Sequence, residues 1–229
     1  MERLIMKHIV IVTGGYMNTA FGTEYMKSLS YDRLFAVDKG LEYVMALGLV
    51  PDYVIGDFDT VDANVLRTFE TGEGKGKVER HPARKDETDT ELAIWQAMEE
   101  GAECITLLGA TGSRLDHVFA NVGLLCQTIE RGIDMQIVDE TNRIRILDGK
   151  YHPTTEIAKK QQLGTYISLI PLTDRVEGVT LKGVAYPVQD FTIVRGSSRT
   201  VSNEITSEKM QMTIKKGQVL LIESRDTWR

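Results

Sequence analysis

Apolar residues in the first part of the chain cluster in short runs, and each run stops on a glycine, a threonine or an aspartate. Ile5–Thr13 leads into Gly14-Gly15, Leu34–Val37 into Asp38, and Tyr53–Ile55 into Gly56-Asp57-Phe58-Asp59. Cys104–Leu108 ends at Gly109 and Met135–Val138 at Asp139. Runs without polar alternation predict strands buried on both faces, as in a parallel sheet with helices on either side. Helical spacing lies between them. Over Arg114–Arg131 the apolar positions are Leu115, Val118, Phe119, Val122, Leu125, Cys126 and Ile129, one stripe of a helix. Thr88–Glu100 is a second helix, with Thr88 and Glu91 at capping-box spacing and Gly101 as its stop. Lys39–Leu47 and Asp62–Glu70 fit shorter ones. The alternation predicts a doubly wound, mostly parallel α/β sheet. Thr71–Lys77 is glycine-rich but lacks the spacing of a phosphate loop, and reads as a surface connection into a short strand.

Beyond about residue 141 the helical spacing stops. Short strands replace it: Arg143–Leu147, Tyr166–Pro171, Val179–Val188 and Phe191–Val194. Met210, Met212 and Ile214 share one face, and Lys216-Gly217 turns into Val219–Ile222. This texture predicts a β-sandwich, so two domains are expected, residues 1–141 and residues 142–229.

Composition narrows the function classes. Of 229 residues, 42% are hydrophobic and 26% charged, an ordinary globular balance, and the net charge of -6 disfavours nucleic acid as a partner. The two cysteines, Cys104 and Cys126, sit in apolar runs and form no disulfide framework, which points to a reducing compartment. No run approaches the roughly 20 apolar residues of a membrane span, and no signal peptide is visible. A cytoplasmic protein that binds no membrane is expected.

The polar residues that end the strands are the candidate chemistry, because ligands of open α/β sheets bind beyond the carboxyl ends of the strands. Asp57 and Asp59 form an Asp-x-Asp pair. Two carboxylates held together repel each other, and Mg²⁺ is a natural partner for them; alternatively both bond local backbone N–H groups in a turn. Asp89 follows Lys85-Asp86-Glu87-Thr88; it is either a ligand or a complement to the helix dipole, and Lys85 suits a phosphate. In Gly109-Ala110-Thr111-Gly112-Ser113-Arg114-Leu115-Asp116-His117 the glycines let backbone N–H groups approach an anion. Arg114 is a cation in a first helical turn, which a bound phosphate would explain. Asp116 pairs with Arg114, binds metal or caps locally, and His117 reads as a surface residue. Asp38 reads as a site carboxylate or a cap. Gly14 and Gly15 leave room for a nucleotide or form only a tight turn. Ser202-Asn203-Glu204 by itself reads as a hairpin loop.

In order along the chain, Thr13-Gly14-Gly15, Val37-Asp38, Pro51-Asp52-Tyr53-Val54-Ile55-Gly56-Asp57-Phe58-Asp59-Thr60, Lys85-Asp86-Glu87-Thr88-Asp89, the Gly109–His117 segment, Asn121 and Ser202-Asn203-Glu204 resemble the bacterial thiamine pyrophosphokinases. The resemblance implies an α/β nucleotide-binding catalytic domain, a thiamine-binding β-sandwich, and a homodimer whose site is shared between subunits. It implies that ATP and thiamine give AMP and thiamine diphosphate, with Mg²⁺. Asp57, Asp59 and Asp89 look like the Mg²⁺–triphosphate carboxylates, and Asp38 like a further acidic member. Gly14, Gly15, Lys85, Gly109, Thr111 and Arg114 look like the ATP and phosphate set; Asp116, Ser202 and Asn203 look like the thiamine set. Thr60 stands where the family usually has serine, and Ser113 where glycine is more usual. Trp228 is either a stacking residue or terminal packing. Three rival readings remain: a pyrophosphokinase for another alcohol such as a hydroxymethylpterin, a binding sensor without turnover, and an NAD-dependent oxidoreductase, which would lack its G-x-G-x-x-G after the first strand.

Overall fold

The computed structural model describes residues 6–59, 61–72, 76–80 and 86–227. Lys85, Thr60, Trp228 and residues 73–75 of the glycine-rich connection lie outside the described residues. The chain divides into two compact units, Met1–Leu124 with Ile133–Glu140, and Leu125–Gly132 with Thr141–Arg229.

The first unit runs β1 (His8–Val12), α1 (Thr19–Ser28), β2 (Arg33–Val37), α2 (Gly40–Ala46), β3 (Tyr53–Gly56), α3 (Ala63–Thr71), β4 (Lys77–Arg80), α4 (Asp89–Glu99), β5 (Cys104–Leu108), the start of α5 (Leu115–Glu130), and β6 (Asp134–Val138). Its strands lie in the order β6-β5-β1-β2-β3-β4, and every neighbouring pair is parallel. The apolar runs are what such a sheet requires. Ile9, Val10, Ile11 and Val12 are 0% exposed, as are Phe35, Ile105 and Leu107. Fully burying side chains of this size is worth about 1.5–3 kcal/mol each.

Helices α1, α3 and α4 begin where side chains satisfy their first N–H groups. Thr88 Oγ1 accepts from Glu91 N at 3.2 Å, the cap its spacing foretold. Asp62 Oδ1 accepts from Asn64 N at 2.8 Å and Asn18 Oδ1 from Ala20 N at 3.0 Å. Helix α1 is absent from the periodicity reading because it buries only Gly22 and Met26. Its start is set by the Asn18 cap rather than by an apolar stripe.

The second unit is antiparallel throughout. Its strands are β7 (Asn142–Asp148), β8 (Thr154–Ala158), β9 (Tyr166–Pro171), β10 (Arg175–Lys182), β11 (Val188–Val194), β12 (Asn203–Glu204), β13 (Lys209–Thr213) and β14 (Gln218–Ser224). They form two layers, β12-β9-β14-β7 and β11-β10-β13-β8. Leu147, Leu169 and Leu221 from one layer pack with Val179, Met210 and Met212 from the other, the inward alternation of a sandwich. The run Val179–Val188 is not one strand. β10 stops at Lys182, Val184 and Ala185 pair instead with the 204–205 segment, and Tyr186-Pro187 leads into β11. Proline lacks the N–H that a central strand donates.

Among the described residues no helix is long and apolar enough to cross a membrane.

Candidate active site

Parallel strands place all their carboxyl ends on one edge. That edge of the first unit gathers Gly14 and Gly15 after β1, Asp38 after β2, Asp57 and Asp59 after β3, and Gly109 to Thr111 after β5.

The two glycine turns lock together. Thr13 Oγ1 donates to Gly109 O at 2.6 Å, and Thr13 N to Leu108 O at 2.9 Å. A Cβ on Gly15 would overlap Gly109 O and stand 2.7 Å from Thr111 O. Gly109 itself has φ +66°, a conformation that disfavours any side chain. Asn121, buried in α5, donates Nδ2 to Ala110 O at 2.9 Å and so holds the second turn from below. The role of Asn121 is therefore to shape the loop.

Asp38 adopts φ 47°, and its backbone N donates to Ile55 O at 3.0 Å. Lys39, not Asp38, is the N-cap of α2, and no side chain caps that helix. The Asp38 carboxylate instead lies over Gly56.

Asp57 Oδ1 accepts the N–H of Asp59 at 3.1 Å, so the local turn foreseen for this pair does form. Between them Phe58 is buried with φ 63°. A bulky residue there costs of order 1–3 kcal/mol and persists only where surrounding packing imposes it. The turn leaves Asp59 exposed. The negative charge of Asp57 raises the pKa of Asp59 above the ordinary carboxylate value, with desolvation, the bond to Asp57 and the charge of Asp89 adding to it. Asp59 therefore feels the negative charge of both Asp57 and Asp89. Among the described residues no three His, Cys, Asp or Glu side chains are arranged to hold a metal ion. The donor set nevertheless fits Mg²⁺, which needs only one or two protein carboxylates beside phosphate and water oxygens. A divalent cation would also relieve the repulsion felt by Asp59.

Arg114 and Asp116 are joined to each other. Arg114 Nη2 donates to Asp116 Oδ2 at 2.6 Å and Nε to Oδ1 at 3.3 Å, with both side chains exposed. The bond to Arg114 holds Asp116 below the usual carboxylate range, and Asp116 raises the Arg114 guanidinium in turn. His117 is exposed.

In the second unit, Ser202 is exposed at φ 56°, and its N donates to Ser168 Oγ at 3.0 Å. Asn203 is buried, and both ends of its amide are occupied. Nδ2 donates to Tyr186 O at 2.9 Å, while Oδ1 accepts from Tyr186 N at 3.0 Å and from Glu204 N at 2.9 Å. Asn203 thus grips the backbone of Tyr186, a residue that is 74% exposed. The sequence reading missed Tyr186. The available signal was its proline neighbour, which ends the run that hid it.

Comparison with known proteins bears on this arrangement. The family model "Thiamin pyrophosphokinase, catalytic domain" matches residues 26–137, and "Thiamin pyrophosphokinase, vitamin B1 binding domain" matches residues 154–219. Thiamine pyrophosphokinase of Bacillus subtilis (strain 168) is 30% identical over 226 residues, covering 96% of this chain and 100% of that protein. The chain belongs to the thiamine pyrophosphokinase family. That is a family of diphosphotransferases, and both of its parts are present here. Solved structures agree: Bacillus subtilis thiamine pyrophosphokinase matches with a TM-score of 0.85 at 29% identity, covering 96% of this chain and 100% of that one. The thiamin pyrophosphokinase of Geobacillus thermodenitrificans matches with a TM-score of 0.80 at 31% identity, covering 96% and 99%. Yeast thiamin pyrophosphokinase shares the fold at 12% identity, with a TM-score of 0.76, covering 97% of this chain and 87% of that one.

Proposed function

We propose that the chain transfers the pyrophosphoryl group of ATP to the hydroxyl of thiamine, giving thiamine diphosphate and AMP. The observation that carries this reading is the Asp57–Asp59 turn at the carboxyl end of β3, in the part of the chain that matches the family's catalytic domain. The thiamine oxygen attacks the β-phosphorus of ATP. The bond from that phosphorus to the oxygen bridging the α- and β-phosphates breaks, and AMP leaves with the electron pair. The hydroxyl proton passes to a carboxylate of the site or to water. Such transfers depend on positioning and charge neutralisation more than on covalent help.

One or two of the carboxylates Asp57, Asp59 and Asp89, with Asp38 beside them, would hold Mg²⁺, which when bound neutralises phosphate charge. Gly14, Gly15, Gly109 and Thr111 form the two interlocked turns over which the nucleotide would lie, and Lys85 and Arg114 would supply cations. Arg114 is already paired with Asp116, so a phosphate recruits it by exchanging one anion for another. Asp116 then becomes available to a cationic substrate, and thiamine carries a fixed positive charge. In the second unit Ser202 and the exposed ring of Tyr186 serve thiamine. Asn203 acts by fixing Tyr186, since its own amide is fully used.

The test is purified protein with ATP, Mg²⁺ and thiamine, following AMP and thiamine diphosphate together. Equal amounts of both, abolished by a chelator, are expected. Thiamine monophosphate with ADP would mean that the γ-phosphorus is attacked and the reading is wrong. A homodimer in a cytoplasmic setting belongs to the same proposal, and sedimentation at assay concentration checks the dimer.

A further inference from the structure

We propose that Tyr16 is the residue on which the purine base of the nucleotide stacks. This rests on the reading of the chain as an ATP-consuming pyrophosphokinase and assigns a subsite to it. Tyr16 is 62% exposed. Its backbone, by contrast, is held from both sides. Before it, Gly15 is pressed against the carbonyls of Gly109 and Thr111. After it, Met17 is buried. Asn18 caps α1 with Oδ1 and donates Nδ2 to Glu140 Oε2 at 2.6 Å. Gly112 lies alongside, where an added Cβ would stand 3.3 Å from Tyr16 N. An exposed ring on an immobilised loop contributes contact area at little cost in ordering.

The position suits the base rather than the phosphates. The carboxylates follow β2 and β3, whereas Tyr16 lies in the loop after β1, beside Gly112. At about 4.8 Å per strand, the end of β1 lies one to two strand spacings, roughly 5–10 Å, from the strand ends that carry Asp38, Asp57 and Asp59. An extended nucleotide with its phosphates at Asp57 and Asp59 covers this span. The path between runs over Gly14, which is exposed and carries no side chain.

The experiment compares wild type, Y16A and Y16F in steady state with ATP and with CTP at saturating thiamine, and sizes each protein by sedimentation. Y16A is expected to raise KM for ATP roughly tenfold, with kcat and KM for thiamine within about twofold, and to lower the ATP-to-CTP ratio of kcat/KM by a similar factor. Y16F is expected to keep wild-type values, because stacking needs the ring and not the hydroxyl. An unchanged KM for ATP, a rise confined to thiamine, or a changed oligomeric state in Y16A would overturn the proposal. If wild type is inactive with thiamine, it is the functional reading that fails. Calorimetric titration of wild type and Y16A with ATP alone then still decides the role of Tyr16, and equal affinities would overturn it.

Discussion

The carboxylate of Asp38 rests on the Cα of Gly56: a side chain at Gly56 would overlap Asp38 Oδ1 and stand 3.3 Å from Asp38 N. Two neighbouring strand ends therefore share one space, and an aspartate can reach the site from β2 because β3 ends on a residue without a Cβ. Gly56 also has φ +151°, which favours glycine.

G56A should consequently displace Asp38 as well as strain the backbone. A stability loss of about 1–3 kcal/mol is expected, with turnover falling further than stability alone explains. Denaturant unfolding and activity of the same preparation check it. A variant of unchanged stability would show that β3 yields easily here.

D59N should lower turnover by on the order of a hundredfold or more while leaving the fold intact. The stability consequence has the opposite sign. The folded pKa of Asp59 is raised. The metal-free fold therefore carries a repulsion that is absent below the ordinary carboxylate pKa and present once pH has risen through the raised value. D59N removes that repulsion, so metal-free D59N should unfold at the same or a higher temperature than wild type at neutral pH. A clear drop would mean that Asp59 makes a stabilising contact instead.

Glu100 supplies a pH dependence of the usual acidic kind. Tyr53 Oη donates to Glu100 Oε1 at 2.7 Å, and Lys7 and Arg33 lie beside it at 3.4 and 4.0 Å. The Tyr53 bond, aided by Lys7 and Arg33, holds Glu100 below the usual carboxylate range. Its contribution is present above the unfolded pKa and is lost as pH falls through the lowered folded value. E100Q should cost about 0.5–1 kcal/mol at pH 7, given partial exposure to solvent, and the difference should vanish in strong acid. Chemical denaturation across that range measures it.

Glu223 is 0% exposed, with Arg145 Nη2 at 3.0 Å, Arg143 Nη1 at 3.4 Å and the N–H of Leu163 at 2.8 Å. It continues the inward face of β14 beyond Val219 and Leu221, so an ionic cluster closes one end of the sandwich core. E223Q leaves two guanidinium groups without their anion and should cost about 3–5 kcal/mol. Replacing Arg143, Arg145 and Glu223 together by apolar residues should cost far less, since a buried ion pair gains little over good packing. Thermal unfolding of both variants decides between these outcomes.

Y186A should raise KM for thiamine roughly tenfold and leave KM for ATP unchanged, the loss of one aromatic contact. N203A should do the same more weakly and also destabilise the second unit, because the Asn203 amide is spent on the backbone of Tyr186 and Glu204. Equal KM values for thiamine in Y186A and wild type would remove Tyr186 from the thiamine site.

The amino-acid sequence determined what local physics controls. Apolar runs such as Ile9–Val12 and Ile105–Leu108 can be buried only on both faces, so they require a helix-covered parallel sheet, and the change to alternating strands after residue 141 requires a second architecture. Thr88 announced its helix by spacing alone. Parallel strands then bring their end residues to one edge, which is why Asp38, Asp57, Asp59 and the two glycine turns could be named from order along the chain. Only the tertiary structure decided which polar atoms are still available to a ligand. Whether Asp116 faces solvent or Arg114, and whether the amide of Asn203 meets a substrate or the backbone of Tyr186, depends on groups brought together by folding. The same holds for the exposed rings of Tyr16 and Tyr186. An aromatic residue reads as core by default, and exposure is set by neighbours distant in sequence.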